Sequence, residues 1–169
     1  MDKVSQKTIS CFEAIADKQT RVLILGTLPG PESLSTNQYY SSPRNSFWRI
    51  IFDIFNQPSL SKYSEKCAFL LRHQIGIWDV LGSANREGYA DSNIHNPVPN
   101  DFANFLKQHP QICGFVFNGK DAEDAFHKAF PDLYDSIKHR SVLSSSGALA
   151  RKYEEKLDSW KSAIENLMK

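Results

Sequence analysis

Four clusters along the chain hold residues that could touch a polar or planar ligand. The first is Gly26-Thr27-Leu28-Pro29-Gly30, directly after an apolar run. Glycine at a strand end permits close backbone approach, Pro29 stiffens the turn, and successive N–H groups there can hold an anion. The run is neither GxGxxG nor a Walker loop, so an ordinary strand-to-helix turn would use the same residues. The second cluster is Tyr39-Tyr40 with Arg44-Asn45. The tyrosines offer π faces to a flat ring, or pack the loop against the core. The Asn45 carboxamide both donates and accepts, so it can hold a water or read a heterocycle edge; it could equally cap the helix that follows it. The third is Trp78-Asp79. A carboxylate inside an apolar strand must be paired, capped or desolvated with a raised pKa, and the last case makes a general acid–base candidate. Trp78 reads as core or as a stacking platform. The fourth joins Asn118-Gly119 to Ser144-Ser145-Ser146-Gly147. The hydroxyls and N–H groups of that serine run, ahead of a helix, could clamp a phosphate. Leu149 beyond it reads as core or as a wedge at a helix tip.

Alternating strands and helices must position these clusters. Arg21–Leu25 reads as a buried strand. Phe47, Ile50, Ile51, Ile54 and Phe55 mark an amphipathic helix that Gln57-Pro58 ends. Residues 62–74 read as helical, with Cys67, Leu70 and Leu71 inward. Gly76–Leu81 reads as a second strand and residues 82–99 as a polar loop rich in Asn, Gly and Pro. Asp101 caps a short helix through Leu106. Ile112–Phe117 is a third strand, and Asp121–Phe130 a helix with Ala122, Ala125, Phe126 and Ala129 inward. Arg140–Leu143 is a fourth strand. The final helix carries Leu149, Tyr153, Leu157, Trp160, Ile164 and Leu167 at steps of three or four. This alternation predicts right-handed crossovers and a single α/β domain over residues 1–169, a three-layer α/β/α sandwich around a four-stranded parallel sheet. All four clusters then converge at the carboxyl ends of the strands, where open α/β sheets place ligands.

Composition narrows the function classes. The 169 residues carry a formal net charge of +1, so any polyanion partner must be met by a local patch. Arg44, Arg49, Lys120, Arg140, Arg151 and Lys152 flank the converging loops and could supply one. The three cysteines are odd in number and scattered, which argues against a disulfide framework or a four-cysteine metal site and for a reducing, cytoplasmic setting. The histidines show no metal-ligand spacing. No apolar run approaches the roughly 18 residues of a membrane span, and the first residues lack a signal-peptide core.

The run Leu23-Ile-Leu-Gly-Thr-Leu-Pro-Gly30, with Gln38-Tyr-Tyr40 and Pro43-Arg-Asn-Ser-Phe-Trp48, resembles the uracil-DNA glycosylase superfamily, and more narrowly its hypoxanthine-DNA glycosylase branch. Gly76–Leu81, Arg86–Ile94, Asn100–Phe102 and Phe117–Gly119 agree, so the resemblance covers about residues 12–161. It implies a monofunctional glycosylase without metal or cofactor, acting on a base flipped out of DNA. It implies that Gly26–Gly30 is the first motif, that Gln38, Tyr39 and Tyr40 wall the base pocket, that Asn45 is the key catalytic side chain, and that Trp78, Asp79 and Asn118 lie where the base edge is read. It also implies that Ser144–Gly147, with Leu149 and with Arg44 and Arg151 nearby, contacts DNA. Two positions depart from the family pattern. Thr27 and Leu28 stand where other branches carry a carboxylate or amide, and Ser144–Ala148 lacks both the His of uracil-removing branches and the Pro of this branch. Without that His an anionic uracil leaving group loses its usual stabiliser, whereas a purine can leave after ring protonation.

The expected activity is therefore hydrolysis of the N-glycosidic bond of a deaminated base, chiefly hypoxanthine, by a monomer acting on double- or single-stranded DNA. Two alternatives stay open: a mismatch-type uracil glycosylase, and a catalytically weak module that binds damaged DNA or a nucleotide.

Overall fold

A computed structural model describes residues 7–88, 90–147 and 152–169. Its spine is a parallel sheet of β2 (Val22–Gly26), β3 (Ile75–Asp79), β6 (Gly114–Asn118) and β7 (Lys138–Val142), in the order β3-β2-β6-β7. β2, β3 and β6 are short, largely apolar runs because both faces are covered, whereas β7, Lys-His-Arg-Ser-Val, is a largely exposed edge strand. Side chains alternate between those faces. Val22, Ile24, Ile75, Ile77, Val116 and Val142 face the helices α2 (Phe47–Ile54), α3 (Tyr63–Arg72) and α7 (Tyr153–Met168). Leu23, Leu25, Phe115 and Phe117 face α4 (Phe102–Gln108), α5 (Lys120–Ala129) and α6 (Pro131–Ser136). The three-layer α/β/α sandwich expected from the alternation is the architecture observed.

Helix α2 carries the candidate catalytic amide at its front. Phe47 is fully buried, edge-on to Trp48 at 5.0 Å and to Trp160 at 5.6 Å. Truncating such a residue to Ala costs about 3–5 kcal/mol, so the start of α2 is fixed by core packing rather than by loop contacts. In α4, the Asp101 side chain accepts from the Asn104 N–H, as its position predicts.

Three expectations change. Residues 82–99 are not a loop: β4 (Leu81–Arg86) and β5 (Ile94–Pro99) join β1 (Thr8–Ser10) in a separate antiparallel sheet of order β1-β4-β5, with a 3₁₀ turn at Asp91–Asn93. Leu81 thus starts this sheet instead of ending β3. In α3 the buried pair is Phe69 and Leu70, while Cys67 and Leu71 are half-buried. The short helices α1 (Pro31–Thr36) and α6 carry too few apolar residues to show a period. The predicted beginning of the last helix at Leu149 lies outside the described residues. No helix among those described is long and apolar enough to cross a membrane.

Candidate active site

The register of the parallel sheet sets three polar or small residues side by side at its carboxyl end. Gly26 pairs with Asp79. Asn118 stands one residue beyond the Leu25–Phe117 pair and itself pairs with Val142. Asp79, Gly26 and Asn118 therefore form one rung, all pointing to the α2/α7 side. Tyr40 hangs over the middle of that rung. Its ring stacks on Phe47 at 4.0 Å and 18°, and its backbone is left-handed, with φ 56°. A Cβ on Gly26 would lie 2.8 Å from Asp79 Oδ1 and 3.0 Å from Tyr40 Oη. Glycine is needed here because those two oxygens occupy the side-chain space.

Burial dominates the electrostatics. Asp79 is buried, and neither its Oδ2 nor Tyr40 Oη makes a hydrogen bond of ordinary geometry among the described residues. Burial, reinforced by the charge of Asp91, pushes the Asp79 carboxyl up to about 7, against the opposing pull of Arg86. The Tyr40 phenol is driven well above its usual range by burial and by Asp79, with Asn118 pulling it back. At neutral pH Asp79 can thus be a donor or an acceptor, while Tyr40 keeps its proton. A buried polar atom without a partner costs about 1–3 kcal/mol, and Asp79 Oδ2 and Tyr40 Oη are two such atoms among the described residues.

Asn45 is half-buried at the mouth of α2. Its Oδ1 accepts from the Phe47 N–H at 2.9 Å, a local turn one residue ahead of the helix N-cap, which is Ser46 rather than the expected Asn45. One lone pair of that oxygen and the NH₂ group remain for other contacts. The next residue joins the serine loop directly, since Ser46 N donates to Ser145 O at 2.9 Å. That loop is no free turn. Asn118 Nδ2 donates to Ser145 Oγ at 2.8 Å, and Asn118 Oδ1 accepts from Ser145 N at 2.9 Å. The buried Lys156 Nζ donates to Ser146 O at 2.9 Å. A Cβ at Gly147 would lie 2.8 Å from Arg44 O, and Gly119, with φ 92°, abuts Ser144. Asn45, Asn118 and the Ser144–Gly147 loop thus meet at one corner of the rung.

Not every predicted residue faces that corner. Tyr39 is core: its Oη donates to the carbonyls of Phe12 and Glu13, and its own carbonyl accepts from Trp48 Nε1. Trp78 points to the opposite face of the sheet, stacked on Phe105 at 4.3 Å. Leu28 and Pro29 are buried, Leu28 within the α4/α5 core, while Thr27, Gly30 and Gln38 are half-buried along the first turn and α1. Arg44 is exposed and pairs with Glu32 at 3.3 Å. Leu149 and Arg151 lie outside the described residues. Sequence reasoning missed Arg86 and Asp91, which lie behind the first turn, and Lys156. A lone charge in a polar stretch or on a helix gives no signal of burial.

The description of the uracil DNA glycosylase superfamily matches residues 12–167. The chain belongs to the uracil DNA glycosylase superfamily. Within this superfamily it is 32% identical over 156 residues to a hypoxanthine DNA glycosylase of Methanosarcina barkeri, covering 90% of this chain and 96% of the relative. It is 33% identical, with the same coverage, to a hypoxanthine DNA glycosylase of Methanosarcina acetivorans. A solution NMR structure from Methanosarcina acetivorans, assigned to the uracil DNA glycosylases, superposes with a TM-score of 0.82 at 30% identity, over 96% of this chain and 100% of that one. The matched span of the superfamily takes in the whole rung, Asn45 and both flanking loops.

Proposed function

We propose that the chain is a monofunctional DNA glycosylase that hydrolyses the N-glycosidic bond of a flipped-out deaminated base, chiefly hypoxanthine. The observation that carries this reading is the half-buried Asn45 amide beside the polar rung Asp79–Gly26–Asn118, in a chain whose named relatives are hypoxanthine DNA glycosylases. Flipping costs a few kcal/mol, and stacking of the base on an aromatic returns about 1–3 kcal/mol. Tyr40, with one face on Phe47, is the tyrosine placed to offer the other. Asp79 and Asn118 then read the heterocycle edge. As the C1′–N9 bond breaks, its electron pair leaves with the purine, which takes up a proton, and water adds to C1′. Asn45 has no proton to exchange, so it works by orienting that water. The serine loop and Arg44 hold the DNA backbone. The substrate is duplex or single-stranded DNA, the enzyme acts as a monomer, and its three free thiols suit the cytoplasm.

The test uses purified protein with oligonucleotides bearing hypoxanthine, uracil or xanthine, followed by alkali to cleave abasic sites. Hypoxanthine strands should break fastest. Faster breakage at uracil would favour the mismatch-type uracil enzyme. Tight binding without any breakage would favour a damaged-DNA binding module.

A further inference from the structure

The first turn owes its shape to the small antiparallel sheet. Val80 N donates to Gly26 O at 2.8 Å and Leu81 N to Thr27 O at 3.2 Å. At the far end of β4, Arg86 runs back under the turn with its side chain 1% exposed. Its Nη2 donates to the Pro29 carbonyl. Its Nη1 lies 3.9 Å from Asp91 Oδ1, and the neighbouring Thr27 side chain favours the charged form of Asp91. Arg86 Nε has no hydrogen-bond partner among the described residues, so these two contacts, with the charge of Asp79 nearby, hold the guanidinium there. A planar fork can meet a carbonyl and a carboxylate at once; an ammonium on a flexible stem cannot do so in the same geometry.

We propose that Arg86 and Asp91 form a two-point brace on the Gly26–Gly30 turn, the guanidinium fixing the Pro29 end and the carboxylate fixing the Thr27 end, and so act as positioning residues for the base pocket. The brace has a specific task in this chain. Thr27 and Leu28 bring neither carboxylate nor amide to the first turn, so that turn can contribute only shape and backbone. A Cβ on Gly26 would lie 2.8 Å from Asp79 Oδ1 and 3.0 Å from Tyr40 Oη, so the rung leaves no slack there, and a turn that shifts would spread it. Asp91 and Arg86 also set the charge around Asp79, which joins brace and pocket in one buried group. This inference rests on the glycosylase reading for its catalytic consequence, but not for its structural one.

The experiment combines hydrogen–deuterium exchange of the full chain with single-turnover excision from hypoxanthine duplexes. The variants are Arg86→Gln, Arg86→Lys, Asp91→Asn and the charge-neutral Arg86→Gln/Asp91→Asn pair. In Arg86→Gln, amides 27–30 should exchange at least tenfold faster while those of β6 hold their rate. Excision should fall at least tenfold, with affinity for the same DNA altered less than threefold. Arg86→Lys should fail to restore the rate, and the double variant should lose no more than the worse single one. If the lone substitution unfolds the chain, as a stranded buried charge can, the double variant carries the same two measurements. Unchanged exchange at 27–30 with excision within twofold of wild type, in a folded variant, would overturn the brace. A wild-type protein that breaks no strand would sink the glycosylase reading alone, and the exchange measurement would still decide the brace.

Discussion

The Gly26–Gly30 turn is fastened from behind, by the N–H groups of Val80 and Leu81 and by the buried Arg86. The Ser144–Gly147 loop is fastened at its sides, by Asn118, Ser46 and Lys156. The first set of contacts comes from main chain and a buried charge, and an uncompensated buried charge costs 3–5 kcal/mol when its partner is lost (about that range). The second set consists largely of single hydrogen bonds worth about 1 kcal/mol each. One loop is therefore a rigid wall and the other an adjustable clamp. Under the proposed function, in which the first loop walls the base pocket and the second holds the DNA backbone, this division suits an enzyme that must hold a flat ring to close tolerance while accepting a backbone of variable path.

The sharpest break lies at the junction of the two loops. Asn45→Ala should lower single-turnover hypoxanthine excision by about 10²–10⁴ and also remove a helix-start hydrogen bond worth about 1 kcal/mol. An Ala variant that cuts near the wild-type rate would remove Asn45 from the chemistry. The rigid side is tested next by pH. Asp79 titrates near 7 in the fold, against 3.8 for the ordinary carboxyl. The native state then holds the extra proton between those values, so the Asp79 contribution to stability is fully present below 3.8 and is lost as pH rises through about 7. The loss is on the order of a few kcal/mol. Urea melts from pH 4 to 8 should show it in wild type and not in Asp79→Asn.

Gly26→Ala comes third. Its methyl would meet Asp79 Oδ1 at 2.8 Å and Tyr40 Oη at 3.0 Å, an overpacking cost of about 1–3 kcal/mol that denaturant melts would measure. On the clamp side the effects shrink. Ser145→Ala deletes the hydroxyl that accepts from Asn118 and should cost about 1 kcal/mol while raising the Kd for DNA a few-fold. Lys156→Met keeps the buried stem and drops only the bond to the Ser146 carbonyl. It should cost about 1 kcal/mol or less and alter DNA affinity least. If the two clamp variants instead matched Gly26→Ala, the division into wall and clamp would be wrong.

Three strands of the parallel sheet were legible because they are largely apolar runs between turn residues, and the polar edge strand β7 followed from the alternation of strands and helices. Asp79 stood out as a carboxylate in such a run, and Asn45 as an amide ahead of a strong helical period. The small sheet left no comparable trace. The β5 strand, Ile-His-Asn-Pro-Val-Pro, is almost wholly exposed and contains two prolines, so it shows neither alternation nor burial. Arg86 was hidden for the same reason: its burial comes from tertiary packing beneath a distant turn. Tyr39 and Tyr40 are chemically identical in the sequence, and only the left-handed backbone at Tyr40 sends one ring to the core and the other over Gly26. Trp78 was assigned to the pocket although it alternates with Asp79 and so must point the other way.

Because Asp79, Gly26 and Asn118 sit on neighbouring strands at one level, the gaps between them are set by main-chain pairing, at about 4.8 Å per strand. No side-chain exchange alters that spacing. If positions 79 and 118 read the base, as proposed, the spacing of the reading groups is thereby independent of their identity: new functional groups can be installed at fixed intervals on an unchanged pair of strands.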